Sequence, residues 1–208
     1  MPRPTRKAEL VEAASQLFAA NGYEETTVRD LAREAGIESS GSLYAHFESK
    51  EEILYSIISD NMNEAIAALT PIVESELAAA EKLRAALRVH IRNLTRAPGR
   101  LLMQWRSLGG ERRSAVRDQR AQYAALWARI LDEGIESGEF SVEDPVMARV
   151  LIHTAADATG QWLRADGALS PEDVADSYAK ILLRGIGYTA QSARQAGRQG
   201  QPERSSSV

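Results

Sequence analysis

What most constrains this chain is an apolar periodicity near the helical repeat that runs over almost its whole length, with no sustained strand-like alternation. Such a chain buries its stripes by packing helix on helix, so the expected class is all-α with about nine helices. In the first, Leu10, Ala14, Leu17 and Phe18 share a face, and Asn21-Gly22 supplies a left-handed stop. A second, short helix opens at Thr27, where Asp30 completes a capping box, and it buries Val28, Leu31 and Ala32 before stopping at Gly36. After the turn Ile37-Glu38-Ser39 comes another short helix, from about Ser40 to Phe47.

Ser49 and Glu52 frame a second capping box, and the apolar positions from Ile53 to Leu69 predict a long helix up to Pro71. Further helices are expected at about 81–96, 99–108, 112–137, 144–165 and 171–188, with breaks at Pro98-Gly99, Gly109-Gly110, Gly138 and Gly167. Ser170-Pro171-Glu172-Asp173 is a clear helix start, with a cap, a proline at the first position and acids in the first turn. The expected organisation is an N-terminal three-helix domain over residues 1–50, ordered from residue 6, and a second helical domain over 51–189. The stretch 190–208, rich in Gln, Arg, Gly and Ser, is expected to be disordered.

Composition removes several function classes. The chain has no cysteine, so disulfides, thiolate metal sites and a cysteine nucleophile are excluded. No stretch approaches the roughly 20 apolar residues of a membrane span, so a soluble cytoplasmic protein without a membrane partner is expected. The net charge of −4 weighs against a nucleic-acid partner, and residues 8–55 hold three bases (Arg29, Arg33, Lys50) against ten acids. Uncharged donors and helix N-termini also bind phosphate, however, and these the segment has.

Two short helices around a tight glycine-containing turn, behind a longer first helix, form the helix-turn-helix arrangement, in which the second short helix enters the DNA major groove. The strings Thr26-Thr27-Val28-Arg29-Asp30-Leu31-Ala32, Ala35-Gly36-Ile37, Gly41-Ser42-Leu43-Tyr44-Ala45-His46-Phe47 and Ser49-Lys50-Glu51-Glu52-Ile53-Leu54 closely resemble the N-terminal domain of the TetR family of one-component repressors. The resemblance covers about residues 6–55. It implies a double-stranded operator as partner and a nucleoid-associated location. It also implies that Thr27 caps the second helix and touches phosphate, that Tyr44 and His46 make phosphate contacts, and that Lys50 adds a cation beside a strand. Arg29 is within reach of phosphate, whereas Arg33 is better paired with Asp30 or Glu34. Ser39, Ser40, Gly41 and Ser42 lead the reading helix and are candidate base readers. The chain departs from the family in one respect: Gly36 to Tyr44 is eight steps, one more than usual.

The same resemblance implies a homodimer and a small-molecule effector held by the C-terminal helices. The dimer is expected to pair the last two helices across a twofold axis through Val146, Val150, Val174, Tyr178, Ile181, Leu182 and Ile186. The candidate pocket residues are Trp105, Tyr123, Trp127, His153, Asp157, Gln161 and Trp162, polar and aromatic groups set among apolar ones. His153, Asp157 and Gln161 fall four apart on one face. An equally open reading makes these three buried interhelix hydrogen bonds and Trp127 plain core. The pattern of Trp127, Gly134, Gly138-Glu139-Phe140 and Trp162 resembles members that control fatty-acid or sterol breakdown and sense acyl-CoA thioesters. That would put Arg92, Arg100, Arg106 or Arg164 near coenzyme A phosphates.

Two other functions compete. A helical interaction protein without DNA binding would suit the acidic N-terminal segment. An enzyme would have to use His153 with Asp157, and the chain shows no nucleophile elbow and no phosphate loop. No catalytic residue, cofactor or metal site is therefore expected.

Overall fold

The computed structural model describes residues 6–36, 44–164 and 167–188. Among these are eight α-helices, one 3-10 helix and no strand. Helix α1 spans Arg6–Asn21 and α2 Val28–Glu34. The long α3 runs Lys50–Val73, followed by α4 at Ala79–Thr95 and a single turn, α5, at Ala97–Arg100. The 3-10 helix covers Leu102–Ser107, and α6 (Gly110–Glu136), α7 (Pro145–Trp162) and α8 (Pro171–Gly185) complete the chain. The sequence expects one helix over 99–108, and the structure breaks it into α5 and the 3-10 turn. Helix α3 also passes through Pro71 rather than stopping there, and ends two residues later at Val73.

Local signals fix the first helices. Gly22 adopts φ +91° after α1, as a left-handed stop requires. Arg6 reaches across to the carbonyl of Ala35 at 3.0 Å, placing a cation at the C-terminal end of α2. Leu10, Ala14 and Phe18 of α1 meet Leu31 of α2, Phe47, and Ile53 and Leu54 of α3, all buried. Tyr23 sets its ring edge-on to Phe18 at 5.2 Å.

The apolar core continues through Ile57 and Ile58 of α3 into the remaining helices. There α3 lies along α6, and α4 lies along α8 while also touching α3, α6 and α7. Helix α4 starts at Ala79 with no side-chain cap of its own. Glu139 serves instead, its carboxylate accepting the N–H groups of Ala79 and Ala80 at 3.1 Å each, which suits an anion at a helix N-terminus. The buried Lys82 is neutralised by Glu133 at 2.6 Å. Where α6 begins, Gly109 N–H donates to Glu51 in the first turn of α3 at 2.8 Å, and Arg112 lies 3.5 Å from Glu48.

Candidate functional site

Thr27, expected to touch phosphate, is held in the cap of α2. Asp30 N–H donates to the Thr27 hydroxyl oxygen at 3.2 Å, Thr27 N–H donates to Asp30 Oδ2 at 3.1 Å, and the Thr27 hydroxyl donates to the same oxygen at 2.6 Å. The hydrogen bonds from Thr27, joined by Arg33, hold the Asp30 carboxyl below its ordinary range. Arg33 pairs with Asp30 at 2.7 Å, the structural role that its spacing suggests. Arg29, Tyr44 and His46 are exposed, Tyr44 by 51%. Ser39, Ser40, Gly41 and Ser42, together with the lengthened turn, lie outside the described residues.

Lys50 has partners within the protein: its ammonium donates to the carbonyls of Tyr23 at 2.9 Å and Thr26 at 3.1 Å and sits 4.3 Å from the centre of the Tyr23 ring. It ties the turn after α1 to the first turn of α3. Ser49 caps that turn as expected, but Glu52 accepts from the N–H of Glu48 rather than that of Ser49.

In the C-terminal helices a polar cluster joins α4, α6 and α7. His90 Nδ1 is 3.0 Å from the Tyr123 hydroxyl, and His90 Nε2 is 3.1 Å from Asp157 Oδ1. His153 Nδ1 stands 3.3 Å from the other Asp157 oxygen, with Arg120 at 4.0 Å. His90 Nδ1 can accept from the Tyr123 hydroxyl, while the buried Nε2 lies at ion-pair distance from the carboxylate without an aligned hydrogen bond. Burial opposes the charge on Asp157, yet the contacts and charge from His153 and His90 outweigh it and hold the carboxyl well below the usual range. Burial pushes the Tyr123 hydroxyl well above the ordinary phenol range. The indole of Trp127 packs edge-on against His90, and Trp105 lies between Arg106 and Arg120.

Of the candidate pocket residues, Trp105, Tyr123, Trp127, His153 and Asp157 therefore gather in one region, whereas Gln161 and Trp162 are exposed and stand apart. Sequence reasoning missed His90 and Arg120. His90 continues the buried stripe of Leu83, Ala86, Leu87, Ile91 and Leu94 on α4, and a polar residue on an apolar stripe is the signal that could have found it. A cavity of about 20 Å³ lies inside the cluster, and His153 is also in the wall of an apolar pocket of about 480 Å³ lined by α6 and α7.

The expected dimer contacts divide. Val174, Leu182 and Ile186 are buried within the chain, because the apolar face of α8 is used against α4, and Tyr178 is half-buried. The three buried residues are corrections to the interface reading, and Tyr178 is not. Val150 and Ile181 are exposed, and Val146, Met147 and Leu151 extend the exposed apolar stripe along α7. Gly187, at φ +71°, ends α8, and a side chain there would meet the Ser141 carbonyl.

Two capped N-terminal helices, joined by one long helix to a helical bundle with an internal cavity, suit a one-component DNA-binding regulator. The family of bacterial regulatory proteins, tetR family, matches residues 10–57, and the tetracyclin repressor-like C-terminal domain matches residues 76–186. The chain belongs to the TetR family and is a DNA-binding transcriptional regulator. It is 31% identical over 187 residues to the HTH-type transcriptional repressor KstR2 of Mycobacterium tuberculosis, covering 88% of this chain and 93% of that one. The structure of that ketosteroid transcriptional regulator superimposes with a TM-score of 0.80, over 89% of this chain and 96% of its own. The TetR family regulator PfmR from Thermus thermophilus gives a TM-score of 0.79 at 33% identity, over 85% and 98%. The fatty acid metabolism regulator protein of Bacillus subtilis is 27% identical over 183 residues, covering 86% of this chain and 94% of that one. The family is one of transcription regulators rather than enzymes, and among the described residues no helix is long and apolar enough to cross a membrane.

Proposed function

We propose that the chain is a homodimeric repressor that grips a palindromic operator and is released by a small ligand with an apolar body, of the acyl-CoA thioester class. In this reading residues 1–50 form the DNA-binding domain, 51–189 hold the effector and the dimer interface, and 190–208 are a tail. Thr27, Arg29, Tyr44 and His46 meet phosphate, and Ser39, Ser40, Gly41 and Ser42 approach base edges.

The observation that carries the effector half is the convergence of His90, His153 and Arg120 on the partly buried Asp157, with His153 also lining an apolar pocket. Burying a carboxylate is costly and adds little to a purely structural core, whereas a few fixed polar groups beside an apolar chamber are what a ligand site needs. Relatives named for ketosteroids and for fatty acid metabolism support an apolar ligand. A shift or footprint assay on DNA flanking its own gene tests the DNA half. Failure of intact dimers to bind at low salt favours a helical interaction protein instead. Thermal stabilisation by an acyl-CoA series tests the other half, since a ligand at about 100 times its Kd adds about 2.7 kcal/mol.

Two variants follow from this assignment. Tyr44→Ala is expected to weaken binding to specific and random DNA alike, read by anisotropy at several salt concentrations, because a phosphate contact carries no sequence information. Equal affinity of the variant and the parent would refute the contact. Leu151→Asp places a charge on the exposed stripe of α7 and is expected to yield monomers in light scattering, with operator binding lost alongside.

A further inference from the structure

Three cavities share wall residues: Ala65 and Asn93 join the first to the second, beside α3 and α4, and His153 joins the second to the third, between α6 and α7. An outer groove of about 200 Å³ is rimmed by Arg92 and Arg96, the latter paired with Glu64, and Asn93 stands in its wall. Asn93 is also in the wall of the polar cavity of about 20 Å³, together with His153 and Asp157. His153 in turn borders the apolar pocket of about 480 Å³. The sequence along this line is cationic rim, polar joint, apolar chamber.

Asn93 has a second engagement. Asn61 Nδ2 donates to Asn93 Oδ1 at 2.9 Å, and Asn93 Nδ2 donates back to Asn61 Oδ1 at 3.1 Å. Asn61 is 2% exposed and sits on α3, the helix against which α1 packs. Gln119 of α6 also binds α3, through Ser59 and Asn63, but none of these borders the three cavities.

We propose that Asn93 is an effector contact and that the Asn61 to Asn93 amide pair is the latch through which occupancy is reported to α3. The ligand is a linear amphiphile with an anionic head at the arginine rim, a hydrogen-bonding joint at Asn93 and His153, and an apolar tail in the chamber. This rests on the effector reading above. Asn93 loses little by exchanging one amide partner for the ligand's joint, because its hydrogen bonds are replaced in kind. Asn61 is buried and has nothing to replace its own. A stranded buried amide is costly, and the cost is relieved when α3 shifts, so ligand binding favours a second position of the helix.

The test uses the full-length dimer, dodecanoyl coenzyme A as probe, calorimetry for probe binding and anisotropy for release of DNA flanking the gene. The parent is expected to bind the probe and release DNA. Asn61→Leu, whose side chain borders none of the three cavities, is expected to bind the probe at least as tightly as the parent, since no buried amide is stranded, while the effect on DNA affinity falls by roughly tenfold or more. If that variant does not fold, Asn61→Ala, which is equally remote from the three cavities and leaves Asn93 in place, must still bind the probe by calorimetry while its DNA affinity is blind to it. Release of DNA from Asn61→Leu at the parent's probe concentration overturns the latch and leaves the effector reading standing. No binding of dodecanoyl coenzyme A or dodecanoate by the parent overturns both. Equal binding of coenzyme A alone removes the apolar chamber from the site and overturns the three-part path.

Discussion

Asp157→Asn is expected to lower stability by about 3 kcal/mol, which for a chain of this size means a fall of roughly 6–12 °C in Tm. The change removes the one charge on which His90, His153 and Arg120 converge while keeping the shape of the side chain. Breaking a buried ion pair from one side is worth about 3–5 kcal/mol, and the low end applies because about a fifth of the Asp157 side chain remains exposed. The pH dependence has a definite sign. The folded carboxyl is held below its unfolded value, so its contribution is present above the unfolded pKa of about 3.9 and is lost as the pH falls towards the folded one. The variant should therefore show a shallower acid limb in melting curves measured from pH 6 downward. A parallel limb at unchanged Tm would mean that the cluster carries no net charge coupling.

Gly99→Ala is expected to be equally damaging for a different reason. A Cβ at Gly99 would lie 2.0 Å from the Asn93 carbonyl oxygen and 2.7 Å from its carbon, both main-chain atoms at the end of α4. No side chain can rotate to make room, so α5 must lift off α4, and a cost of about 3 kcal/mol, the upper part of the range for overpacking, is expected. Because Asn93 takes part in the clash, the variant should also disturb the pair with Asn61, visible as faster amide exchange at the end of α4. Unchanged Tm would show that the single turn of α5 yields cheaply.

Much of the fold is legible in the sequence because its signals are local. Thr27 with Asp30, Ser49, Gly22 and Ser170 each set a helix end within three residues, and the structure has all four. What lies far apart along the chain is not legible in this way. Glu139 caps a helix about sixty residues away, and nothing near Ala78 announces it. His90, flanked by Arg88 and Arg92, reads as isolated until its position on the buried face of α4 is considered. Lys50 lies next to a capping box in a DNA-binding motif, yet its reach selects the nearby carbonyls of Tyr23 and Thr26. The apolar face of α8 shows that Val174, Leu182 and Ile186 need a cover, but periodicity cannot say whether that cover belongs to the same chain or to a second copy.

The hydrogen bond from Gly109 to Glu51, with Arg112 beside Glu48, gives the first turn of α3 a contact with the start of α6 about which a tilt can be reckoned. Asn61 is ten residues further along, roughly 15 Å at the helical rise, so each ångström of sideways motion there tilts α3 by roughly 4° about the first-turn grip. The DNA-binding helices ride on the pivot end. In a twofold dimer the tilts of the two protomers are related by symmetry, so their effects on the separation of the reading heads add rather than cancel. Half-sites are spaced by roughly one turn of DNA, or a multiple of it, and a small rotation at each head is then enough to spoil the fit at both.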